Sequence, residues 1–428
     1  MAGEWTTVKL SDIADVQTGP FGSQLHMEDY VEHGTPIVTV EHLGNRNFSS
    51  QNLPRVKDSD KKRLNKYVLK EGDVVFSRVG SVDRCSYVGT KEHGWMFSGR
   101  CLRIRATANS VDPLYLYYYF TSEPIKELIR SIAVGATMPS INTTILSDVP
   151  VQLPPLSVQK RIAHILGTLD DKIELNLRMN KTLEEMARAL FKSWFIDFNP
   201  VVAKSEGRQP EGMNAATAKL FPDSFEDSEL GRIPKGWRVM PVGEVVDCVG
   251  GSTPSTTDPR FWENGIHHWT TPKDFSSLQS PFLLETARKI TEAGVTSISS
   301  GLLPAGTLLL SSRAPVGYLA IATMPVAINQ GFIALKCNEN ASNYFMLNWC
   351  QENMDKIEGR ATGTTFAEIS KSNFRPIPVV LPGQSTMRCF SVGVKPLYAQ
   401  IVTNLCQNRT LANLRDWLLP RLLKGEFI

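Results

Sequence analysis

Leu156-Ser-Val-Gln-Lys-Arg-Ile162-Ala-His-Ile-Leu166-Gly-Thr-Leu169-Asp-Asp-Lys-Ile173-Glu-Leu-Asn176-Leu-Arg-Met-Asn180-Lys-Thr-Leu183-Glu-Glu-Met-Ala187-Arg-Ala-Leu190-Phe-Lys-Ser-Trp194 places an apolar residue or an asparagine at alternating spacings of four and three. That spacing is a coiled-coil seam, and it predicts one helix from about Ser157 to Phe195. At 1.5 Å per residue the helix is about 60 Å long, and with a single apolar stripe it is not stable alone. The chain carries a partner for it. Phe390, Val394, Leu397, Ile401, Asn404, Asn408, Leu411, Arg415, Leu418 and Leu422 keep the period and repeat both asparagines. Antiparallel pairing leaves the polar linker Asn199 to Leu230 little distance to cover, whereas parallel pairing makes it run back about 60 Å. Antiparallel pairing is the expectation. The four mid-seam asparagines either pair across the seam and fix its register, or, for Asn176 and Asn404, face solvent.

The second helix is part of a longer repeat. Ala133-Val-Gly135-Ala-Thr137-Met-Pro-Ser-Ile141 lies over Ala361-Thr-Gly363-Thr-Thr365-Phe-Ala-Glu-Ile369, 228 residues later, and the match runs without a gap through both helices. Upstream it survives in patches, such as Trp5 with Trp237 and Asp15 with Asp247. Each half is a variable block followed by a better preserved one. The resulting division is 1–150, a first globular domain; 151–198, a central helix; 199–231, a linker; 232–378, a second globular domain; and 379–428, a distal helix.

The variable blocks read as short strands between Gly and Pro turns: Pro36 to Val40, Asp73 to Phe76 and Cys101 to Arg105 in the first, Leu308 to Leu310 and Phe332 to Lys336 in the second. Each predicts one helix near its end. Pro113 to Arg130 carries Tyr115, Tyr117, Tyr118, Tyr119 and Phe120, and Ser342 to Ile357 carries Tyr344, Phe345 and Trp349. These aromatic stripes are assigned to the core. The expected fold is α+β: two β-rich globular domains joined by two long antiparallel coiled-coil helices, with a pseudo-two-fold internal repeat.

Composition sets bounds on function. At 428 residues, with 42% hydrophobic and 21% charged residues, the chain exceeds one ordinary core and excludes disordered or collagenous classes. A net charge of +3 permits a polyanionic partner without demanding one. The start, Met1 to Leu10, has no signal-peptide pattern, and no apolar run approaches membrane-spanning length, so a cytoplasmic location is expected. The seven cysteines form no CxxC pair and read as reduced thiols packed as small hydrophobes.

Two similar domains on a two-fold scaffold suit a two-fold polymer such as duplex DNA, where the protein fixes the spacing of half-sites. The run Pro150 to Leu166, followed by Leu169-Asp-Asp-Lys-Ile173-Glu-Leu-Asn176, resembles the central conserved region of type I restriction-modification specificity subunits. The resemblance spans nearly the whole chain. It implies a non-catalytic subunit whose two target-recognition domains each read one part of a split, asymmetric DNA sequence. It further implies that the helices dock two methyltransferase (modification) subunits, that motor-nuclease restriction subunits join, and that S-adenosylmethionine, ATP and Mg belong to those partners. Partner docking falls on Gln159, Arg161 and Ile162. The second copy departs from the pattern, with Gly383, Met387 and Phe390 where the first has Pro155, Gln159 and Ile162.

Absent motifs agree with a non-catalytic role. Asn199-Pro200-Val-Val lacks the second proline and the aromatic of an amino-methyltransferase tetrapeptide, and no phosphate-binding loop of the GxxxxGK[ST] type occurs. The histidines show no metal spacing. His267-His268 reads as a surface feature and Asp170-Asp171 as solvated charge.

Base reading needs paired donors or acceptors on loops, and phosphate binding needs cations, hydroxyls or backbone amides. In the first block these considerations select Gln17, Ser23 and Gln24, then Thr39, Glu41 and His42, then Ser77 and Arg78. In the second they select Ser252 and Thr253, then Thr270, Thr271, Lys273 and Asp274, then Ser312 and Arg313. Thr137 and Thr365, in the repeated Gly-x-Thr loops, either contact phosphate or position the helices. The rival reading from another class is a symmetric non-catalytic protein-interaction scaffold; a fused, self-sufficient restriction-modification enzyme lacks its motifs.

Overall fold

The computed structural model describes residues 5–20, 24–276, 278–363 and 367–427. The predicted helices are present as Leu156–Phe195 and Gln384–Leu422. The chain divides into two units, residues 1–175 with 407–428 and residues 176–406, so each unit owns a segment of both long helices. In the first unit Arg415 pairs with Asp170, and Asn408 Nδ2 donates to the Ile173 carbonyl, so numbers rise along one helix as they fall along the other. The second unit repeats this, with Asn404 beside Asn180 and Phe390 beside Trp194. The pairing is antiparallel.

The seam is as the spacing predicts. Ile162, Leu166, Ala187, Phe390, Val394 and Ile401 are all buried, and so are Asn176, Asn180, Asn404 and Asn408. The solvent-facing alternative for the asparagines is therefore overturned. Asn404 Nδ2 donates to Asn180 Oδ1 at 2.8 Å, a bond that a register slip breaks inside an apolar seam. Asp170 is buried too, at 8% exposure, and is not the solvated charge its helix position suggests.

Each unit closes its sheet domain by pairing the first strand with the last. Thr6–Lys9 lies antiparallel to Pro150–Leu153, and Arg238–Pro241 lies antiparallel to Pro378–Leu381 in the same register. Between them the first unit folds a four-stranded sheet in the order Ala14–Thr18, Cys101–Ala106, Val74–Ser77, Cys85–Tyr87. The second folds a five-stranded sheet in the order Asp247–Gly250, Phe332–Lys336, Leu308–Ser312, Val316–Ala322, Phe282–Leu283. The central strands, Val74–Ser77 and Leu308–Ser312, are buried at every residue and so lack polar–apolar alternation.

Both aromatic helices pack into the cores, and both are split. Pro113–Thr121 stops at Ser122 and Glu123–Ile132 restarts, because Pro124 has no N–H to continue the ladder. Asn343–Glu352 stops at Asn353, whose Nδ2 donates to the Trp349 carbonyl, before Met354–Glu358. The linker is not a strap. Asn199–Ser205 is helical, Val201 and Phe221 are buried, and Phe221 packs edge-on against Trp194 at 5.0 Å within the second unit's core.

No disulfide forms. Cys85, Cys101, Cys248 and Cys350 are buried, Cys337 and Cys389 are half-buried, and Cys406 is exposed, which corrects the expectation that all seven are core residues. Burial pushes the Cys85 thiol up to about 12. Among the described residues no helix is long and apolar enough to cross a membrane.

Candidate nucleic-acid interface

Three turns recur in both units and gather residues far apart in sequence. The first follows a strand that is paired in parallel. Thr35–Val38 runs beside Met96–Phe97 and ends on Thr39, which begins the turn Val40–His42. The Thr39 N–H donates to His42 Nδ1 at 3.1 Å, which leaves the ring proton on Nε2 to donate to the Gln51 carbonyl. In the second unit His267–Thr270 runs parallel to Val326–Ile328 and ends on Thr271, which begins Pro272–Phe275. There Asp274 Oδ2 accepts from the Thr271 N–H at 2.7 Å and from its hydroxyl at 3.1 Å. Thr39 and Thr271 thus hold equivalent places.

The second turn leaves the buried central strand and carries Arg78 or Arg313. The third is the Gly-x-Thr loop, hooked onto the second through backbone atoms. Val134 and Ser140 exchange hydrogen bonds of 2.9 and 2.8 Å, and the Ile141 N–H donates to the Arg78 carbonyl at 3.0 Å. Thr362 and Glu368 exchange bonds of 2.9 Å, and the Ile369 N–H donates to the Ser312 carbonyl at 3.0 Å. Gly135 and Gly363, at φ +108° and +114°, supply a backbone conformation that a β-carbon opposes.

A further crossing brings the first polar loop to the same place. A β-carbon on Gly19 would stand 2.2 Å from the Ser98 carbonyl oxygen, and one on Gly251 2.1 Å from that of Ile328. Only glycine allows the loops after Ala14–Thr18 and Asp247–Gly250 to cross there. In the second unit Thr271, Lys273, Arg313 and Asn329 line an open cleft of about 440 Å³ with Tyr318 as an apolar wall. Cations, hydroxyls and amides on such a rim can hold phosphate oxygens and read base edges.

The model of the type I restriction modification DNA specificity domain matches residues 2–185 and 234–386. The chain belongs to this family. It is 27% identical over 405 residues to the type I restriction enzyme HindI specificity subunit of Haemophilus influenzae, covering 84% of this chain and 88% of that protein. It is 25% identical over 432 residues to the MjaIX specificity subunit of Methanocaldococcus jannaschii, covering 99% of this chain and 93% of that one. A solved type I S subunit from M. genitalium shares the fold, with a TM-score of 0.59 at 16% identity over 98% of this chain and 96% of its own. The two family matches correspond to the two halves of the repeat.

Within this specificity chain several predicted site residues point inward. Ser77, Thr270 and Ser312 are buried on strands, where the Ser77 hydroxyl donates to the Val79 carbonyl and that of Thr270 to Asp274. His42 is buried in its own turn, and Asp274 is consumed by Thr270, Thr271 and the Ala287 N–H. The polar atoms of Ser77, Thr270, His42 and Asp274 already serve the turns, and Ser312 is buried on its strand. Gln159 and Ile162 are likewise turned inward. Gln159 is buried, accepts from the Asp112 N–H and donates to the Ser110 and Pro154 carbonyls, while Ile162 lies in the core; Arg161 remains exposed.

Gln24, Glu41, Thr137, Thr253 and Lys273 are exposed, and Gln17, Thr39, Arg78, Ser252, Thr271 and Arg313 are half-buried at the same turns. Arg78 Nη1 donates to the Gly99 carbonyl at 3.2 Å, and Arg313 pairs with Glu368 at 3.7 Å. Ser23 and Thr365 lie outside the described residues. Three further polar residues stand at the same crossing: Arg100, whose carbonyl accepts from the Arg78 N–H, Asn329, and Gln330, which accepts from Thr253. The sequence signal for them is Gly99 and Gly331, 232 residues apart like Trp5 and Trp237. Among the described residues no group of acidic, histidine or cysteine side chains could hold a metal ion.

Proposed function

We propose that this chain is the non-catalytic DNA-recognition subunit of a type I restriction-modification complex, in which each unit reads one half of a split, asymmetric target. The observation that supports this most is the recurrence of the same three turns in both units, built from different side chains. Equal frames with unequal residues suit two different half-sites. The long helices that both units share set the gap between half-sites and dock two methyltransferase subunits, which motor-nuclease restriction subunits join. S-adenosylmethionine, ATP and Mg belong to those partners, which supply the chemistry; the residues of this chain bind and position DNA. The work takes place in the cytoplasm.

Co-expression with the candidate methyltransferase and long-read mapping of methylated plasmid positions tests the proposal. The expected result is one motif of two short half-sites separated by a fixed gap. A stable complex that methylates nothing, together with DNA affinity that does not change with salt, would move the assignment to a protein-interaction scaffold.

A further inference from the structure

Six ionisable residues stand among the DNA contacts that the sequence selects: Glu41, His42, Arg78, Lys273, Asp274 and Arg313. Four are engaged within the protein, His42 and Asp274 in their turns, Arg78 with the Gly99 carbonyl and Arg313 with Glu368. Glu41 and Lys273 are exposed, and among the described residues neither side chain makes a hydrogen bond or an ion pair. They occupy the same place in the repeat. Glu41 lies two residues after Thr39 and Lys273 two residues after Thr271, on turns that follow equivalent parallel-paired strands.

The two positions carry opposite charge. A carboxylate on a DNA-facing rim is repelled by phosphates, so it is useful there only where it accepts from a base amino group, cytosine N4 or adenine N6. An ammonium at the same position donates instead, to guanine N7 and O6. Lys273 shares its cleft with Arg313, Thr271 and Asn329, which favours an acceptor-rich edge. The turn that carries Glu41 adjoins Ser98, whose N–H donates to the Val38 carbonyl at 2.8 Å, and so stands beside Arg78 and Arg100, cations able to hold the backbone on either side.

We infer that Glu41 and Lys273 are base-reading residues of opposite sense: the half-site of the first unit presents an amino donor, from cytosine or adenine, to Glu41, and the half-site of the second presents guanine to Lys273. This rests on the assignment of the two units to two half-sites. It goes further by giving each unit the hydrogen-bonding class of one base.

The test uses the full complex with its methyltransferase, first to obtain the wild-type motif and then to measure affinity for oligonucleotides carrying each base substitution. Glu41→Ala should reduce discrimination at one position of one half-site by about 5- to 150-fold, and Lys273→Gln should do so at one position of the other. Glu41→Lys should move the first position towards guanine. Both side chains are exposed, so circular dichroism and complex assembly should match the wild type. A wild-type motif retained unchanged in all three variants overturns the inference while leaving the assignment of function intact. Uniform weakening on all sequences by Lys273→Gln, with a shallower salt slope, makes Lys273 a phosphate contact and also overturns its role. A wild-type complex with no split motif removes both the function and this reading of it.

Discussion

In the first unit the Tyr118 hydroxyl donates to Asp170 Oδ2 and Arg415 Nη1 donates to Asp170 Oδ1, both at 2.7 Å, tying the aromatic helix to both long helices. In the second unit, with the aromatic helices aligned on their N-caps Asp112 and Ser342, the same three places hold Asn348, Tyr398 and Ala187, and one neutral bond stands there, Asn348 Nδ2 to the Tyr398 hydroxyl at 2.8 Å. The repeat therefore preserves the place of a junction and not its chemistry. Burial works against the Arg415 charge, but the hydrogen bonds and attraction of Asp170 and Asp416 together outweigh it and raise the Arg415 pKa. Burial also pushes the Tyr118 phenol up, so it stays a donor to the carboxylate.

Four variants break or sharpen this contrast. Ala187→Arg copies the charge of the first unit into a fully buried site that has no carboxylate at the Tyr398 position. It should cost about 4 kcal/mol or more, seen as loss of the folded second unit by hydrogen exchange. Asp170→Ala leaves the Tyr118 hydroxyl without its acceptor and Arg415 with Asp416 alone, and should cost about 2–4 kcal/mol. Exchange should then quicken in Pro113–Thr121 and not in Asn343–Glu352, and equal protection in both would show that the charge carries no weight.

Moving the set together, Tyr118→Asn with Asp170→Tyr and Arg415→Ala, should cost less than Asp170→Ala alone, because no charge is left unpaired. Urea midpoints measured side by side decide the order. Tyr398→Phe removes one acceptor from Asn348 Nδ2, which keeps its bond to the Tyr344 carbonyl, and should cost only about 1 kcal/mol in the same assay.

The long helices were legible because ten positions repeat one spacing twice, a pattern that chance and solvent exposure do not mimic. The frame of the strands was legible from β-branched runs between glycines and prolines. The direction of polar side chains was not. Ser77 and Ser312 lie on strands buried on both faces, where sequence alternation vanishes, and Thr270 lies at the buried end of its strand; a hydroxyl gives no sign of which way it points. Asp274 and His42 look like contact residues by type, yet their chemistry is spent three residues back on Thr271 and Thr39. The linker misled by its mean polarity, since two well-placed side chains, Val201 and Phe221, suffice to dock it. Arg100 and Gln330 escaped notice because their nearness to Arg78 and Thr253 arises only when the strands cross.

The hooks that hold the Gly-x-Thr loops to the arginine turns use peptide N–H and carbonyl groups, as in Val134 with Ser140 and Thr362 with Glu368. A fastening of that kind is blind to most side chains along the loop. Mutations at the tips can therefore accumulate with little penalty to folding, and new target sequences can arise by drift at the rim while the interior stays under strict selection. The architecture separates what must persist from what is free to evolve.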